Sequence, residues 1–324
     1  MMTLRVSVVL SQGQTVHPDR QALEAQLAAR LAPHDQCDLL IVPHLYNLDS
    51  AGPSLAALRE LSGDLIVLAW LYPRAAHWIL DRHGVRGRRG RTAWDEDETA
   101  ADETGDAGSG KGTESVAATR ELPDRTIYCF DLRRHESPEP YLEAIRQIVP
   151  DLDRGDGGLD AGASPAVRRI DDQVRRRWYP VIDFSRCTNC MECIDFCLFG
   201  VYGVDEAENL LVELPDNCRK GCPACARVCP ENAIMFPQHK TPAIAGGRQE
   251  PGGLKLDLST LFGAAESLLS EQAIAARERD EHLLIAGQRP VGPADSASAS
   301  DADETAKPQD QLDALMDQLD AMEL

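Results

Sequence analysis

No apolar run in this 324-residue chain approaches the roughly 20 residues that a membrane-spanning helix needs. The longest, Leu65 to Tyr72, is far shorter, so contact with a membrane is expected only through a partner. No secretory signal is expected either. The chain enters Leu4-Arg5-Val6-Ser7-Val8-Val9-Leu10 at once, without separate basic and apolar regions or a small-residue cleavage site. A cytoplasmic location is therefore expected. After that run, Ser11-Gln12-Gly13-Gln14 lacks the G-x-G-x-x-G spacing of a dinucleotide-binding turn. No flavin, nicotinamide, nuclease or helicase motif is present, which counts against a self-contained redox enzyme and against nucleic acid as a partner.

The formal charge of −20 is concentrated rather than spread. Residues 95–121 hold nine acids against two bases, and residues 295–324 hold nine against one, so fifteen of the twenty net charges lie in these two stretches. Both are rich in Ala, Gly, Ser, Thr, Asp and Glu and poor in aromatics, a composition that cannot bury enough surface to fold alone. We therefore read residues 92–123 as a disordered acidic insertion and residues 291–324 as a disordered tail.

What is present in the first half is an alternation of strand and helix patterns. Leu4–Leu10, Cys37–Val42, Asp64–Leu71 and Arg125–Leu132 are the continuous apolar runs of strands buried on both faces. Helical periodicity falls between and after them at Arg20–Leu31 (Leu23, Leu27 and Leu31 on one face), Ser54–Leu61, Arg74–Arg82 and Pro140–Ile148. This order predicts a layered α/β domain with a parallel sheet, formed by residues 1–91 and 124–150. In such sheets ligands bind beyond the carboxyl ends of the strands. That rule gathers Ser11, Gln12, Pro43, His44, Tyr46, Tyr72, Arg74, Arg133, Arg134 and His135 as a possible anion or partner site. Cys37 and Cys129 fall at strand positions and read as small buried apolar residues. The basic run Arg82-His83-Gly84-Val85-Arg86-Gly87-Arg88-Arg89-Gly90-Arg91 reads as a solvated loop, with contact to nucleic acid or an acidic protein face as the alternative. A helical connector, residues 151–177, carries Arg168, Arg169 and Arg175 to Arg177, a cluster able to steer an anionic electron donor.

Eight of the ten cysteines lie in one short stretch, as Cys187-Thr-Asn-Cys190-Met-Glu-Cys193-Ile-Asp-Phe-Cys197 and Cys218-Arg-Lys-Gly-Cys222-Pro-Ala-Cys225-Ala-Arg-Val-Cys229-Pro230. A 4Fe–4S cube takes four thiolates, three of which a C-x2-C-x2-C loop can wrap around three corners. Zinc is the alternative reading of eight cysteines, but it is usually held by well-separated C-x2-4-C pairs. Disulfides are not expected where thiols stay reduced.

On these residues the stretch from Trp178 to Pro237 resembles the bacterial-type two-cluster ferredoxins. The resemblance implies an α+β ferredoxin-like domain over residues 178–237 and crossed ligation, in which the fourth cysteine of each run serves the other cluster. One 4Fe–4S cluster would then be held by Cys187, Cys190, Cys193 and Cys229, and the other by Cys218, Cys222, Cys225 and Cys197. Two departures stand out. Three residues rather than two separate Cys218 from Cys222, and Leu198 replaces the proline that Pro230 keeps. The longer loop leaves a 3Fe–4S form open on the Cys218 side. Tyr179–Asp183, Gly200–Val204, Leu210–Glu213 and Ala233–Phe236 read as short extended segments, with a polar turn at Asp205–Asn209. Ile182, Ile194, Phe196, Phe199, Val201, Ile234 and Phe236 are expected to shield the sulfurs.

Residues 238–290 begin as a Gly/Pro-rich loop and continue as a helical extension with an apolar face through Leu261, Phe262, Ala265, Leu268, Leu269 and Ala273. The chain closes on Leu312–Leu324, where Leu312, Leu315, Met316, Leu319 and Met322 form one helical stripe opposite Asp313, Asp317 and Asp320. A short tethered amphipathic helix suits a partner's groove. The leading expectation is an electron carrier or redox-complex subunit, relaying single electrons between partner proteins. The alternatives are an oxidoreductase whose clusters feed a ligand at the strand ends, and a cluster-stabilised interaction or redox-sensing module.

Overall fold

The computed structural model describes residues 6–34, 37–95, 115–150, 167–248 and 271–292. The expectations for the core of the acidic insertion, for Leu261 to Leu269 and for the Leu312–Leu324 helix lie outside the described residues.

The first half is β1 (Val6–Ser11), α1 (Pro18–Leu31), β2 (Cys37–Val42), α2 (Pro53–Glu60), β3 (Leu65–Ala69), α3 (Pro73–Arg82), β4 (Arg88–Arg89), β5 (Thr126–Asp131), α4 (Glu139–Ile148) and β6 (Val167–Arg169). Among the described residues these strands make one six-stranded parallel sheet in the order β4-β5-β3-β1-β2-β6. Because β1 lies between β2 and β3, the chain reverses its winding there, and helices cover both faces. Val9, Leu40, Val67 and Ile127 face α2 and α3, where Leu55, Leu58, Ile79 and Leu80 meet them. Val8, Leu39, Ile66 and Phe130 face α1 and α4, against Leu23, Leu27, Tyr141 and Ile145. Burial on both sides is why the strands read as unbroken apolar runs.

α1, α2 and α3 start one or two residues before the periodicity suggests, at Pro18, Pro53 and Pro73. Proline's fixed φ suits the first helical position, and its missing N–H costs nothing there. Other corrections concern the margins. The connector is not helical where described: Val167–Arg169 pairs with β2, with Leu39 opposite Val167. Four of its five arginines meet acids or amides, among them Arg168 with Glu60 at 3.2 Å and Arg177 with Asp216 at 3.0 Å. The basic run is not simply a solvated loop, because Arg88 and Arg89 form β4 beside β5. Nor is the acidic insertion structureless at its ends. Trp94 packs edge-on against Phe130 and Tyr141, and the N–H groups of Val116 and Ala117 bond to the carbonyls of Cys187 and Phe184.

The second half is β7 (Val181–Ile182), α5 (Glu192–Phe196), β8 (Tyr202–Val204), β9 (Leu210–Val212), α6 (Ala224–Val228), β10 (Ile234–Met235), α7 (Pro242–Ala245) and α8 (Glu271–Ile285). β7 pairs antiparallel with β10, and β8 with β9. Tyr179, Val181 and Met235 belong to the same apolar cluster as α2 and α3, so the cysteine-rich half sits directly on one helical layer of the sheet. Tyr46 and Tyr179 stack at 4.3 Å, and each hydroxyl bonds the other residue's backbone.

Three histidines of the α/β half, His44, His77 and His83, are buried. Burial, aided by Arg176, Arg89 and Arg82 respectively, lowers His44 and His77 from 6.5 to about 4 and His83 to about 3. Each is therefore neutral in the fold and chargeable once unfolded. The stability they contribute is present above 6.5 and is lost as pH falls toward those lowered values. Imidazole NMR resonances should keep the neutral form at about pH 5, where an exposed histidine is almost fully charged. Any of the three titrating near its ordinary value would show that its site is open to water.

Candidate metal centre

The cysteine loops carry backbone that few side chains tolerate. Asn189 and Met191 take φ of 60° and 65° on either side of Cys190, the left-handed region. Asparagine adopts it more readily than most residues, and here the Asn189 side chain is held at both ends. Its Nδ2 donates to Glu208 O, and its Oδ1 accepts the Leu210 N–H, both at 2.8 Å. Alternating left-handed residues curl a loop into a concavity suited to anions and iron–sulfur groups. In the second run the extra residue is absorbed by a turn in which the Cys222 N–H reaches Arg219 O at 3.0 Å, with Gly221 at φ 91°.

Two single-turn helices then distribute the sulfurs. Cys193 lies in α5 and Cys197 follows its last residue, one turn on, with the Cys197 N–H on Cys193 O at 3.1 Å. Cys225 lies in α6 and Cys229 follows it in the same way. Positions i and i+4 are about 6 Å apart along a helix, so each helix presents one cysteine to each of two neighbouring spaces. The first space is lined by Cys187, Cys190, Cys193 and Cys229. The second is lined by Cys197, Cys218, Cys222 and Cys225.

The donor set fits a polynuclear cluster. Burial first, and then neighbouring thiols, raises Cys193 to about 12 and pushes Cys187, Cys218 and Cys225 upward as well, while burial, Glu278 and Cys197 raise Cys222 to about 11. The neighbours felt by Cys193 are Cys229, Cys187 and Cys190, and those felt by Cys225 are Cys218, Cys197 and Cys222. Thiols so placed cannot ionise together without a cationic centre between them. Among the described residues no three His, Cys, Asp or Glu side chains converge tightly enough for a single metal ion. The sulfurs line the two spaces in fours instead. Four have donors aimed at them: the Asn189 N–H on Cys187, the Ala224 N–H on Cys222, the Ala233 N–H on Cys229 at 3.2 Å and the Tyr202 hydroxyl on Cys225 at 3.0 Å. Such bonds orient ligands and tune potential.

Comparison with known proteins decides the class. Over 66 residues, 20% of this chain and 44% of the relative, it is 47% identical to an uncharacterized ferredoxin of Methanocaldococcus jannaschii. Over 59 residues, 18% of this chain and 66% of the relative, it is 39% identical to the pyruvate synthase subunit PorD of the same organism. The chain carries a ferredoxin domain. With it comes an iron–sulfur electron-transfer role. The chain thus spans less than half of the first relative and about two thirds of the second. No family model and no solved structure matches the chain. No helix among the described residues is long and apolar enough to cross a membrane.

Around the ferredoxin domain's cavities, Ile182, Val201, Ile234 and Phe236 are buried among the cysteines, while Ile194 and Phe199 are partly so. Phe196 and Phe199 line the second cavity. Sequence reasoning missed three contributors. Tyr202 reads only as a strand residue, yet it reaches a sulfur. Trp178, read only as a boundary, donates its indole N–H to Cys222 O at 3.1 Å and stacks on Phe236. Arg279 of α8 reaches the second cavity from 50 residues beyond Cys229, a distance at which no local pattern signals contact.

The strand-end group separates. Gln12, Pro43 and His44 line an open groove with Gly13, Asn47 and Arg176. Tyr46 and Arg74 are instead withdrawn into the junction under the ferredoxin domain. Ser11 is buried, its hydroxyl accepting the Leu45 N–H at 2.8 Å. Arg133 lies over the Tyr72 ring at 3.9 Å, and Arg134 and His135 pack against Trp94. A single site formed by all ten residues is thereby corrected: the sheet's carboxyl edge is shared between a groove, a domain junction and an aromatic corner.

Proposed function

We propose that this chain is an electron carrier or redox-complex subunit holding two 4Fe–4S clusters and relaying single electrons between partner proteins. The observation that carries the reading is the sorting of eight cysteines into two cavities, each drawing three cysteines from one run and one from the other. Cys187, Cys190, Cys193 and Cys229 would hold one cluster, and Cys218, Cys222, Cys225 and Cys197 the other. Cys218 reaches the second cavity despite its longer loop, which favours a full cube over a 3Fe–4S form there. The clusters supply reversible one-electron chemistry when bound. The chain's own residues bind them, donate to their sulfurs and exclude water. Cys190 is exposed, so the first cavity offers an electron path to an outside partner. The relative named as a pyruvate synthase subunit supports service within a larger oxidoreductase, and docking through Leu312–Leu324 belongs to the same reading.

Crossed ligation has a direct test. Protein purified without oxygen should hold about eight irons and eight sulfides per chain. Cys197→Ala and Cys222→Ala should each remove one cluster, and the double variant should still keep about four irons, because both residues serve the same cube. If the double variant loses both clusters while each single variant loses one, ligation is not crossed. Two zincs without sulfide would overturn the electron-transfer reading altogether.

A further inference from the structure

The two cavities have alike sulfurs but unlike charge. Glu192 and Glu231 line the first, and no basic side chain does. Arg279 lines the second, and no acid does. The Arg279 side chain is 9% exposed, its guanidinium lies 4.6 Å over the Phe196 ring, and Phe196 is part of the same cavity wall. Two more cations belong to the second loop. Arg219 lies over Phe199, another wall residue, at 5.4 Å, and Lys220 follows it.

We propose that these fixed charges polarise the ferredoxin domain, so that a single added electron rests at the second cavity, under α8, rather than at the first. The inference rests on the two-cluster reading. Reduction adds negative charge to a thiolate-ligated cluster, and nearby cations and hydrogen-bond donors favour that charge while carboxylates oppose it. The Tyr202 hydroxyl on Cys225 acts in the same sense as Arg279. Three features temper the effect. Asp280 pairs with Arg279 at 3.0 Å, but it does not line the cavity and also accepts the Gly292 N–H at 2.6 Å. Water at the exposed Cys190 favours charge at the first cavity. Glu278 acts on Cys222 in the opposite sense to Arg279, although Arg227 pairs with it at 2.9 Å. Arg279, Arg219, Lys220 and Arg227 still outnumber Asp280 and Glu278 about the second cavity, whereas Glu192 and Glu231 line the first with no cation on its wall. The result is a direction: electrons are exchanged with partners at the Cys190 side and held at the covered side.

The test is a redox titration of the full-length, oxygen-free protein followed by electron paramagnetic resonance. Two one-electron midpoints are expected. Arg279→Leu should lower the higher midpoint by a tenfold change in its one-electron equilibrium, about 59 mV, and leave the lower one nearly unmoved. Arg279→Lys should restore it. Glu192→Gln should raise the lower midpoint. Should Arg279→Leu lose iron, Arg219→Glu, a change at an exposed loop position, serves instead and should move the same higher midpoint down. A fully iron-loaded Arg279→Leu or Arg219→Glu variant in which the lower midpoint moves instead, or in which neither moves, overturns the polarisation while leaving the two-cluster reading intact. A wild-type chain with fewer than two clusters overturns that reading instead.

Discussion

Stripping iron from the oxygen-free protein with a chelator will unfold the cysteine-rich half and leave the six-stranded sheet standing. The local elements of that half are too small to persist alone: β7 and β10 have two residues each, β8 and β9 three, α5 and α6 five. Isolated helices of this length are far below the limit of stability in water. A unit of about sixty residues buries little surface, and cluster binding supplies folding free energy that the apo chain lacks. Cys187, Cys193, Cys222 and Cys225 occupy much of the interior, where organic side chains would otherwise pack. Hydrogen exchange read by mass spectrometry should show protection lost across Tyr202–Val204 and Leu210–Val212 and kept at Val8–Leu10 and Ile66–Leu68. Protection should partly survive at Val181 and Met235, which pack against the sheet's helices rather than around the cavities. If β8 and β9 stay fully protected without iron, the clusters are passengers in a self-sufficient fold.

The parts that were legible in the sequence are those governed by short-range rules. Continuous apolar runs placed β1, β2, β3 and β5, because burial on both faces leaves no polar alternation to misread. The cysteine runs marked out the ferredoxin domain because ligand geometry ties spacing to chemistry within a few residues. Contacts made across long separations were not legible. β4 and β6 are two- and three-residue edge strands whose arginines look like loop, and they exist because β5 and β2 offer them unpaired backbone. Arg74 and Tyr46 sit at strand ends and look like ligand groups, but a second domain settles on them. Nothing in the local pattern at Glu271–Ile285 marks Arg279 out from the helix's other charges, since its meaning depends on where α8 comes to rest.

Arg74→Ala should be among the most damaging single changes outside the cysteines, at about 3–5 kcal/mol, the cost of breaking a buried ion pair by removing one partner. Arg74 projects from the first turn of α3, and its side chain is 9% exposed while that of Asp183 is 3% exposed. Its Nε donates to Asp183 Oδ2 and its Nη2 to Asn232 O, each at 2.5 Å. Those two acceptors sit on the two segments that deliver ligands to the first cavity. Asp183 O accepts the Cys187 N–H at 2.9 Å, and Asn232 precedes the Ala233 whose N–H bonds the Cys229 sulfur. One guanidinium therefore fixes the sheet layer to both sides of the first cavity, and its loss leaves the buried Asp183 carboxylate with the N–H and hydroxyl of Ser185 and with Arg186 at 3.7 Å. Urea unfolding of iron-loaded protein should show the full cost in Arg74→Ala and little rescue in Arg74→Lys, because an ammonium cannot span both acceptors. Adding Asp183→Asn to Arg74→Met should recover much of it, since the isolated buried charge is then gone. A cost for Arg74→Ala within about 1 kcal/mol, the range of exposed pairs, would mean that the junction is held by the Tyr46–Tyr179 stack and apolar contact alone.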